Sequence, residues 1–251
     1  MMLQRKRLLA DVPDDELITR DLEVYIKAKA FELMDLGERG VEVLVDRLNL
    51  EGFYRYFNEL NASTAPYHNK YHARCMMLNC FEGALFEKCT TVEVRALVVA
   101  AMFHDFNHTG GHEPDEANIR LALEGLNLAQ HAEMFFTPLT EKELELAIRA
   151  IRVTQYPFIH EPMTVTEKII RDADLMQLYE ADVPTMRAQY LGLKAEVEIS
   201  RKVTFTQEEY AVGQRAWLDE YVVWYTAWAR KKAEARSFEA HKDRLVEALR
   251  P

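Results

Sequence analysis

The stretch Ala96-Leu-Val-Val-Ala-Ala-Met-Phe103, followed directly by His104-Asp105, determines how the rest of the chain is interpreted. It is the longest apolar run, and Thr90 or Thr91 can cap the helix that contains it, with Glu93 close behind. A helix that is apolar almost all round is typical of a buried, central position. Burying a His-Asp pair at the end of such a helix costs free energy unless the carboxylate has a partner. A metal ion is one such partner.

Segments with a period near 3.6 residues extend along most of the chain on either side of this helix. They predict helices at Ile18–Met34, Val41–Leu60 (broken or double, with Gly52 at the joint), Tyr71–Cys89, Pro114–Leu126, Thr140–Val153, Val165–Tyr179, Pro184–Glu198 and Gln207–Arg236, then a short tail helix. Only Arg201–Phe205 shows a trace of strand-like alternation. The 251 residues include 9 Gly and 8 Pro, fewer than turn-rich folds use. The sequence therefore predicts an all-α fold, with residues 1–251 forming one compact multi-helix domain and the N-terminal helices of 12–60 packed on it.

Charge and cysteine usage narrow the class of protein. The chain has 31 Lys and Arg against 41 Asp and Glu, a net charge of −10, which disfavours general nucleic-acid binding through a basic face. The three cysteines form no CxxC pair, as expected of reduced thiols. The longest apolar run is too short to span a bilayer, and the N-terminus has no signal-peptide core. We therefore expect a cytoplasmic protein without a membrane segment, and the oligomeric state stays open.

Histidines and aspartates are concentrated where chemistry is expected. Five of the eight histidines fall within residues 68–112, namely His68, His72, His104, His108 and His112. His68 and His72 are four residues apart, a spacing that shares one helix face. Further on, Arg171-Asp-Ala-Asp174 brings carboxylates into an apolar helical stretch, with a solvated helix face as the alternative position for Asp172 and for Asp174. Two His and two Asp from three helices would form a site with mixed nitrogen and oxygen ligands, which is suited to Zn, Mn, Fe or Mg. Such a site differs from a thiolate-rich structural site.

These segments resemble a known family. The order His72, His104-Asp105, Asp174 resembles the ligand order of the HD-domain metal-dependent phosphohydrolases. The resemblance is closest to the catalytic domains of class I 3′,5′-cyclic-nucleotide phosphodiesterases, and it covers about residues 67–223. It rests on four segments of the chain: Tyr67-His-Asn-Lys-Tyr-His-Ala73, Phe103-His-Asp-Phe-Asn-His-Thr-Gly110, Ala173-Asp-Leu175 and Gln214-Arg-Ala-Trp217.

The resemblance implies a binuclear metal site. Its first metal, zinc, would be held by His72, His104, Asp105 and Asp174, and Asp105 would bridge to a second metal, magnesium or manganese. A hydroxide shared by the two metals would attack phosphorus. His68 would act as the general acid that protonates the leaving oxygen.

The resemblance also implies roles for other residues of the pocket. His108 would steer a water at the second metal. Gln214 would bind the purine edge, with a solvated position as its alternative. Trp217 would stack on the base, with a place in the helix core as its alternative. Tyr67 belongs to the same substrate pocket.

Two features of the pocket leave alternatives open. Asn69 would support the acid or the nucleotide, or else cap the loop before its helix. The family segment that supplies a glutamate to orient the acid histidine has no counterpart here, and Glu124 and Glu133 are the candidates to replace it.

The function predicted from these residues is metal-dependent hydrolysis of the phosphodiester of a small cyclic nucleotide to the 5′-monophosphate. The nucleotide stays open between cyclic AMP, cyclic GMP, a cyclic dinucleotide and a 2′,3′-cyclic substrate. One alternative is an HD-type nucleotidase or deoxynucleotide triphosphohydrolase, which needs neither His68 nor Trp217. A di-iron HD oxygenase, with His108 and His112 as further ligands, and a non-catalytic nucleotide-binding protein are the others.

Overall fold

The computed structural model describes residues 38–132, 137–176, 183–235 and 238–249, and every regular element in these ranges is a helix. The predicted all-α class is thereby confirmed. The predicted helix Ile18–Met34 lies outside the described residues, as does all of 12–37. The described helices are α1 (Glu38–Arg47), α2 (Glu51–Leu60), α3 (Lys70–Phe86), α4 (Thr91–Phe103), α5 (Asp115–His131), α6 (Glu141–Arg152), α7 (Val165–Met176), α8 (Val183–Arg201), α9 (Gln207–Tyr221), α10 (Ala227–Ala235) and α11 (Phe238–Ala248).

Helix α4 lies at the centre of the fold, as its all-round apolar sequence predicts. Thr90 and Glu93 form a reciprocal capping box that starts the helix, and the run from Ala96 to Phe103 is completely buried. Helices α2, α3, α5, α6 and α7 all pack around it. The C-terminal end of α4 therefore delivers His104 and Asp105 to the interior, where α3 and α7 meet it.

The predicted single helix Gln207–Arg236 is wrong, because the chain contains two helices there, α9 and α10, separated by residues 222–226. Asp172, on α7, stabilises the break. Its carboxylate accepts hydrogen bonds from the backbone N–H groups of Tyr225 (3.0 Å) and Thr226 (2.8 Å) and from the Thr226 hydroxyl (2.7 Å). Asp172 is fully buried, so the solvated position considered for it is also wrong.

The structure also corrects two smaller predictions, a strand at Arg201–Phe205 and the position of the break within Val41–Leu60. Arg201 is the last residue of α8, and Arg201–Phe205 continues as an irregular connection rather than a strand. The expected break within Val41–Leu60 does occur, but it lies at residues 48–50 rather than at Gly52, which belongs to α2. None of the described helices combines the length and the apolar character that crossing a membrane requires.

Candidate metal centre and adjoining cavity

Side chains from the loop before α3 join the two histidine-bearing segments. Asn61 accepts a hydrogen bond from the backbone N–H of Asn107 (3.0 Å). The Asn107 side chain returns one by accepting from the Ala62 N–H (2.7 Å). The Ser63 hydroxyl lies within hydrogen-bonding distance of two carbonyl oxygens, that of His68 (2.7 Å) and that of His108 (3.1 Å). The loop thus fixes the start of α3 against the turn that follows α4.

Four potential ligand side chains from α3, from the C-terminal end of α4 and from α7 converge at one point. The Nε2 atom of His72 lies 3.1 Å from the Nε2 atom of His104, 3.2 Å from the Oδ2 atom of Asp105 and 3.3 Å from the Oδ1 atom of Asp174. Donor atoms bound to one zinc ion at about 2.0–2.2 Å necessarily lie about 3 Å apart. The four side chains predicted as ligands therefore have the mutual spacing of a metal-binding site.

The buried Oδ2 atom of Asp105 indicates that a cation belongs among these atoms. It has no hydrogen-bond donor among the described residues, although the His104 Nε2 atom is only 2.9 Å away. The Nδ1 atom of His104 is bonded to the Ala101 carbonyl oxygen (2.8 Å) and carries a proton, so a neutral ring directs the lone pair of Nε2 at the cluster, as a metal ligand must. A lone pair facing a carboxylate oxygen is repulsive unless a positive charge lies between them. The residues present therefore fit a divalent metal.

The electrostatics of the cluster agree with this interpretation. Burial lowers the pKa of His72, but the carboxylates of Asp105 and Asp174, which lie 3.2 and 3.3 Å from its Nε2 atom, raise that pKa to about 10. Burial raises the pKa of Asp105, yet the charges of His104 and His68 hold it well below the usual range. In the absence of metal, a proton on His72 would therefore partly replace the missing positive charge.

His68 lies beside the four-residue cluster and is anchored by a residue that the sequence analysis missed, Glu196 of α8. The Nδ1 atom of His68 is 2.5 Å from the Oε2 atom of Glu196. The other carboxylate oxygen accepts hydrogen bonds from the backbone N–H groups of Tyr67 (2.6 Å) and His68 (3.1 Å). Burial raises the pKa of Glu196, but the His68 ring and these N–H groups lower it below its usual value. Glu196 is thus an anionic anchor that leaves the Nε2 atom of His68 for the cavity.

Two glycines allow α8 to approach closely enough for this contact. Gly111 has a φ of +87°, and a Cβ atom there would lie 2.3 Å from the carbonyl oxygen of Glu196. A Cβ atom on Gly192 would lie 2.8 Å from the carbonyl oxygen of Pro66. Any larger side chain at either position would push Glu196 away from His68.

Glu196 therefore replaces the two glutamates considered for this role. Glu124 is exposed on α5 and does not line the cavity, and Glu133 lies outside the described residues. A sequence signal for Glu196 does exist. It shares a helix face with Leu193 and Ile199, each three residues away, and an acidic side chain between apolar neighbours on one face indicates a buried partner.

His108 packs against His68, with 4.0 Å between the ring centroids. A donor atom of His108 lies within 4.8 Å of donor atoms of His68 and Asp105, so these three residues form a second group that could hold a metal. Burial lowers the pKa of His108, whereas Asp115, Asp105 and Glu196 raise it above its usual value. His112 is exposed and belongs to neither metal-ligating group of the described residues.

A cavity of about 330 Å³ opens over the metal-ligating residues. Tyr67, His68 and Asp174 line its inner end, and the Tyr67 ring packs against His68 with 4.8 Å between ring centroids. Gln214 and Trp217 of α9 line it as well. The side chain of Gln214 is 92% buried, since its exposed fraction is 8%, and its amide has no hydrogen-bond partner among the described residues. The cavity thus brings together a polar amide, an aromatic ring and the candidate metal site.

Asn69 does not line this cavity. Its side-chain oxygen accepts hydrogen bonds from the backbone N–H groups of Tyr71 (2.9 Å) and His72 (3.2 Å), and its amide nitrogen donates to the Pro66 carbonyl oxygen (3.0 Å). Both ends of the side chain are therefore used in capping α3, which is the second of the two roles considered for it. Asn69 contributes by fixing the helix that carries His72.

The chain resembles solved structures but matches no protein-family model. No curated protein matches it either. Solved structures do match, among them LmjPDEB1 in complex with IBMX, with a TM-score of 0.46 and 15% sequence identity over 88% of this chain and 87% of that chain. A likeness of this size assigns neither a substrate nor a reaction to the chain, so the function depends on the residues of the site.

Proposed function

We propose that the protein is a metal-dependent phosphohydrolase that opens the phosphodiester ring of a small cyclic nucleotide to give the 5′-monophosphate. In this proposal, residues 1–251 form one catalytic domain that acts in the cytoplasm. The observation that carries it is the position of His68. The ring is anchored to Glu196 at 2.5 Å and lies next to four convergent metal-ligating side chains. A metal site that activates water and an acid that protonates the alkoxide leaving group are the two features that suit hydrolysis of such a phosphodiester.

The metal-ligating side chains would bind the metal ions and so position the attacking water. His72, His104, Asp105 and Asp174 would hold one ion, zinc, and Asp105 would also contribute to holding a second, magnesium or manganese. Two such ions lower the pKa of a bound water and neutralise charge on the phosphoryl oxygens. His108, which shares a group of convergent donor atoms with Asp105 and His68, would help to orient the attacking water.

His68 would supply the proton that the leaving oxygen needs. Glu196 bonds to the Nδ1 atom and so keeps the Nε2–H group directed into the cavity. The negative charge of Glu196 stabilises the protonated imidazole before the transfer. His68 is partly exposed, so solvent can reprotonate it after each turnover.

The outer part of the cavity would bind the nucleoside. The buried amide of Gln214 can present either its donor or its acceptor to a purine edge. Trp217, one helical turn further along α9, offers a ring on which the base can stack. The ring of Tyr67, packed against His68, forms the wall next to the sugar and phosphate.

The test is a substrate panel with product identification. The purified protein is incubated, with Mn²⁺ or Mg²⁺, with 3′,5′-cyclic AMP and GMP, a 2′,3′-cyclic nucleotide, a cyclic dinucleotide and a deoxynucleoside triphosphate. We expect a 5′-monophosphate from a 3′,5′-cyclic substrate, and no product with a chelator or with Asp105→Asn. Release of inorganic triphosphate would instead indicate a triphosphohydrolase, and binding without turnover a nucleotide-binding protein.

A further inference from the structure

Asp115, at the start of α5, holds the loop that follows α6. Its Oδ2 atom accepts a hydrogen bond of 2.6 Å from the backbone N–H of Tyr156. Its Oδ1 atom accepts from the Asn118 side chain (3.4 Å) and lies 3.8 Å from the Nε2 atom of His108. One carboxylate thus connects the loop carrying Tyr156 with the histidine next to the candidate metal site.

The side chain of Tyr156 is held at its other end by Trp217. The indole N–H of Trp217 donates a hydrogen bond to the Tyr156 hydroxyl oxygen (3.1 Å), and their rings are 5.9 Å apart. In this bond the hydroxyl oxygen is the acceptor. The hydroxyl hydrogen of Tyr156 is donated to no acceptor among the described residues. Tyr156, Trp217 and Gln214 all line the cavity. The Trp217 bond therefore holds the hydroxyl oxygen of Tyr156, and the hydroxyl hydrogen can turn toward a ligand in the cavity.

The shape of this loop is maintained independently by Arg171. Its guanidinium group donates to the carbonyl oxygens of Val153 (2.6 Å) and His160 (3.1 Å), the residues on either side of the loop. It also lies 3.8 Å above the ring centroid of Phe158. With its ends fixed in this way, the loop keeps Tyr156 in place before a ligand arrives, so little conformational entropy would be lost on binding.

We propose that Tyr156 is a further specificity-determining residue, which donates a hydrogen bond from its hydroxyl to an acceptor atom of the bound base. Asp115 acts as its positioning residue through the backbone N–H. This inference rests on the proposed function, since it concerns the nucleoside part of the same site. It adds a second polar contact to that of Gln214.

The experiment compares Tyr156→Phe with the matched control Tyr221→Phe. Both changes remove one hydroxyl from a ring next to Trp217, but Tyr221 does not line the cavity and its hydroxyl bonds to Glu220. With cyclic AMP and cyclic GMP as probes, Tyr156→Phe should raise KM about two- to tenfold, the value of one neutral hydrogen bond, with kcat nearly constant. Tyr221→Phe should leave both constants unchanged.

The positioning role of Asp115 has its own measurement. Asp115→Ala should raise KM by a similar factor, and Asp115→Asn, which keeps an oxygen for the Tyr156 N–H, should restore most of it. The double variant with Tyr156→Phe should be close to the worse single variant rather than additive. Thermal unfolding followed by circular dichroism verifies that each variant is folded.

The outcomes separate this inference from the proposed function. An unchanged KM in Tyr156→Phe, or a lowered kcat with an unchanged KM, would overturn the role of Tyr156 while the enzyme itself remains active. If the wild type binds the nucleotides in calorimetry without hydrolysing them, the same ratios are read from Kd, and weaker binding by Tyr156→Phe alone supports the inference. A wild type that neither binds nor hydrolyses them would overturn both.

Discussion

Glu196 is the residue on which the orientation of His68 depends, and a single substitution measures that dependence. Glu196→Gln keeps an oxygen for the backbone N–H groups of Tyr67 and His68 but removes the negative charge that faces the His68 Nδ1 atom at 2.5 Å. We expect kcat on a cyclic nucleotide to fall at least about tenfold, the usual effect of removing a partner that orients a functional histidine. Metal content should not change.

The matched control for this variant is Glu124→Gln, which makes the same chemical change on the exposed face of α5. Its kcat should equal that of the wild type. Equal losses in Glu124→Gln and Glu196→Gln would show that the effect of Glu196 is one of general charge, and the assigned orienting role would be abandoned.

His72 makes metal binding a proton-linked event. Without metal, contacts with Asp105 and Asp174 outweigh burial and raise the pKa of His72 to about 10, so the ring is protonated at pH 7. A metal ligand must be the neutral ring, so binding should release about one proton from this residue. Calorimetric titration of metal-free protein with Zn²⁺ in buffers of different ionisation enthalpy measures the number. A value of zero between pH 6 and 8 would contradict the account.

The residues of the site differ in how far the sequence could predict them. His68 and His72 are one helical turn apart and His104 and Asp105 are adjacent, so local patterns and the resemblance sufficed to group them. The contact between Glu196 and His68 joins residues 128 positions apart and forms only through the packing of α8. The local pattern marks Glu196 as a buried acid, but no local rule identifies His68 as its partner.

Helix α9 carries Gln214 and Trp217, and its stability can be changed at one position between the cap and these residues. Gly213 is exposed, and a Cβ atom there would meet nothing within 4 Å. Because glycine costs conformational entropy in a helix interior, Gly213→Ala should raise the free energy of unfolding by roughly 0.5–1 kcal/mol. Urea denaturation measures the change.

Gly111→Ala, at the contact with Glu196 of α8, should destabilise the protein, in contrast to Gly213→Ala. Its φ of +87° and the 2.3 Å approach to the Glu196 carbonyl oxygen leave no room for a methyl group. This variant should lower the free energy of unfolding and reduce activity together. If Gly111→Ala were as stable as the wild type, the close packing of α8 described above would be incorrect.

Element boundaries were predictable where local signals define them. The sequence placed the cap of α4 at Thr90 or Thr91 with Glu93 close behind, and the structure shows the capping box at Thr90. The break between α9 and α10 was missed because its cause is tertiary. The carboxylate of Asp172, about fifty residues earlier, accepts the N–H groups of Tyr225 and Thr226. Helical periodicity continues through residues 222–226 and hides this competition.

At the scale of the whole molecule, metal should stabilise the fold, because the ligands come from α3, α4 and α7 and converge only when these helices pack. A ligand that binds the folded state alone at a hundredfold excess over Kd adds about 2.7 kcal/mol. Addition of Zn²⁺ to metal-free protein should therefore raise Tm by roughly 5–10 °C. Asp174→Asn should lose most of the shift, and an equal shift in that variant would place the metal elsewhere.

The central claim, that this site cleaves a phosphodiester with His68 as the acid, is tested most directly by changing the leaving group. A sugar alkoxide leaves poorly without a proton, whereas p-nitrophenolate leaves readily, and general acid catalysis contributes about 10²–10⁴-fold. The measurement is the ratio of kcat/KM for a 3′,5′-cyclic nucleotide to that for bis-p-nitrophenyl phosphate, in wild type and His68→Ala. We predict that the ratio falls by about 10²–10⁴-fold in His68→Ala with metal content unchanged. An equal loss on both substrates, or a loss of metal, would contradict the account.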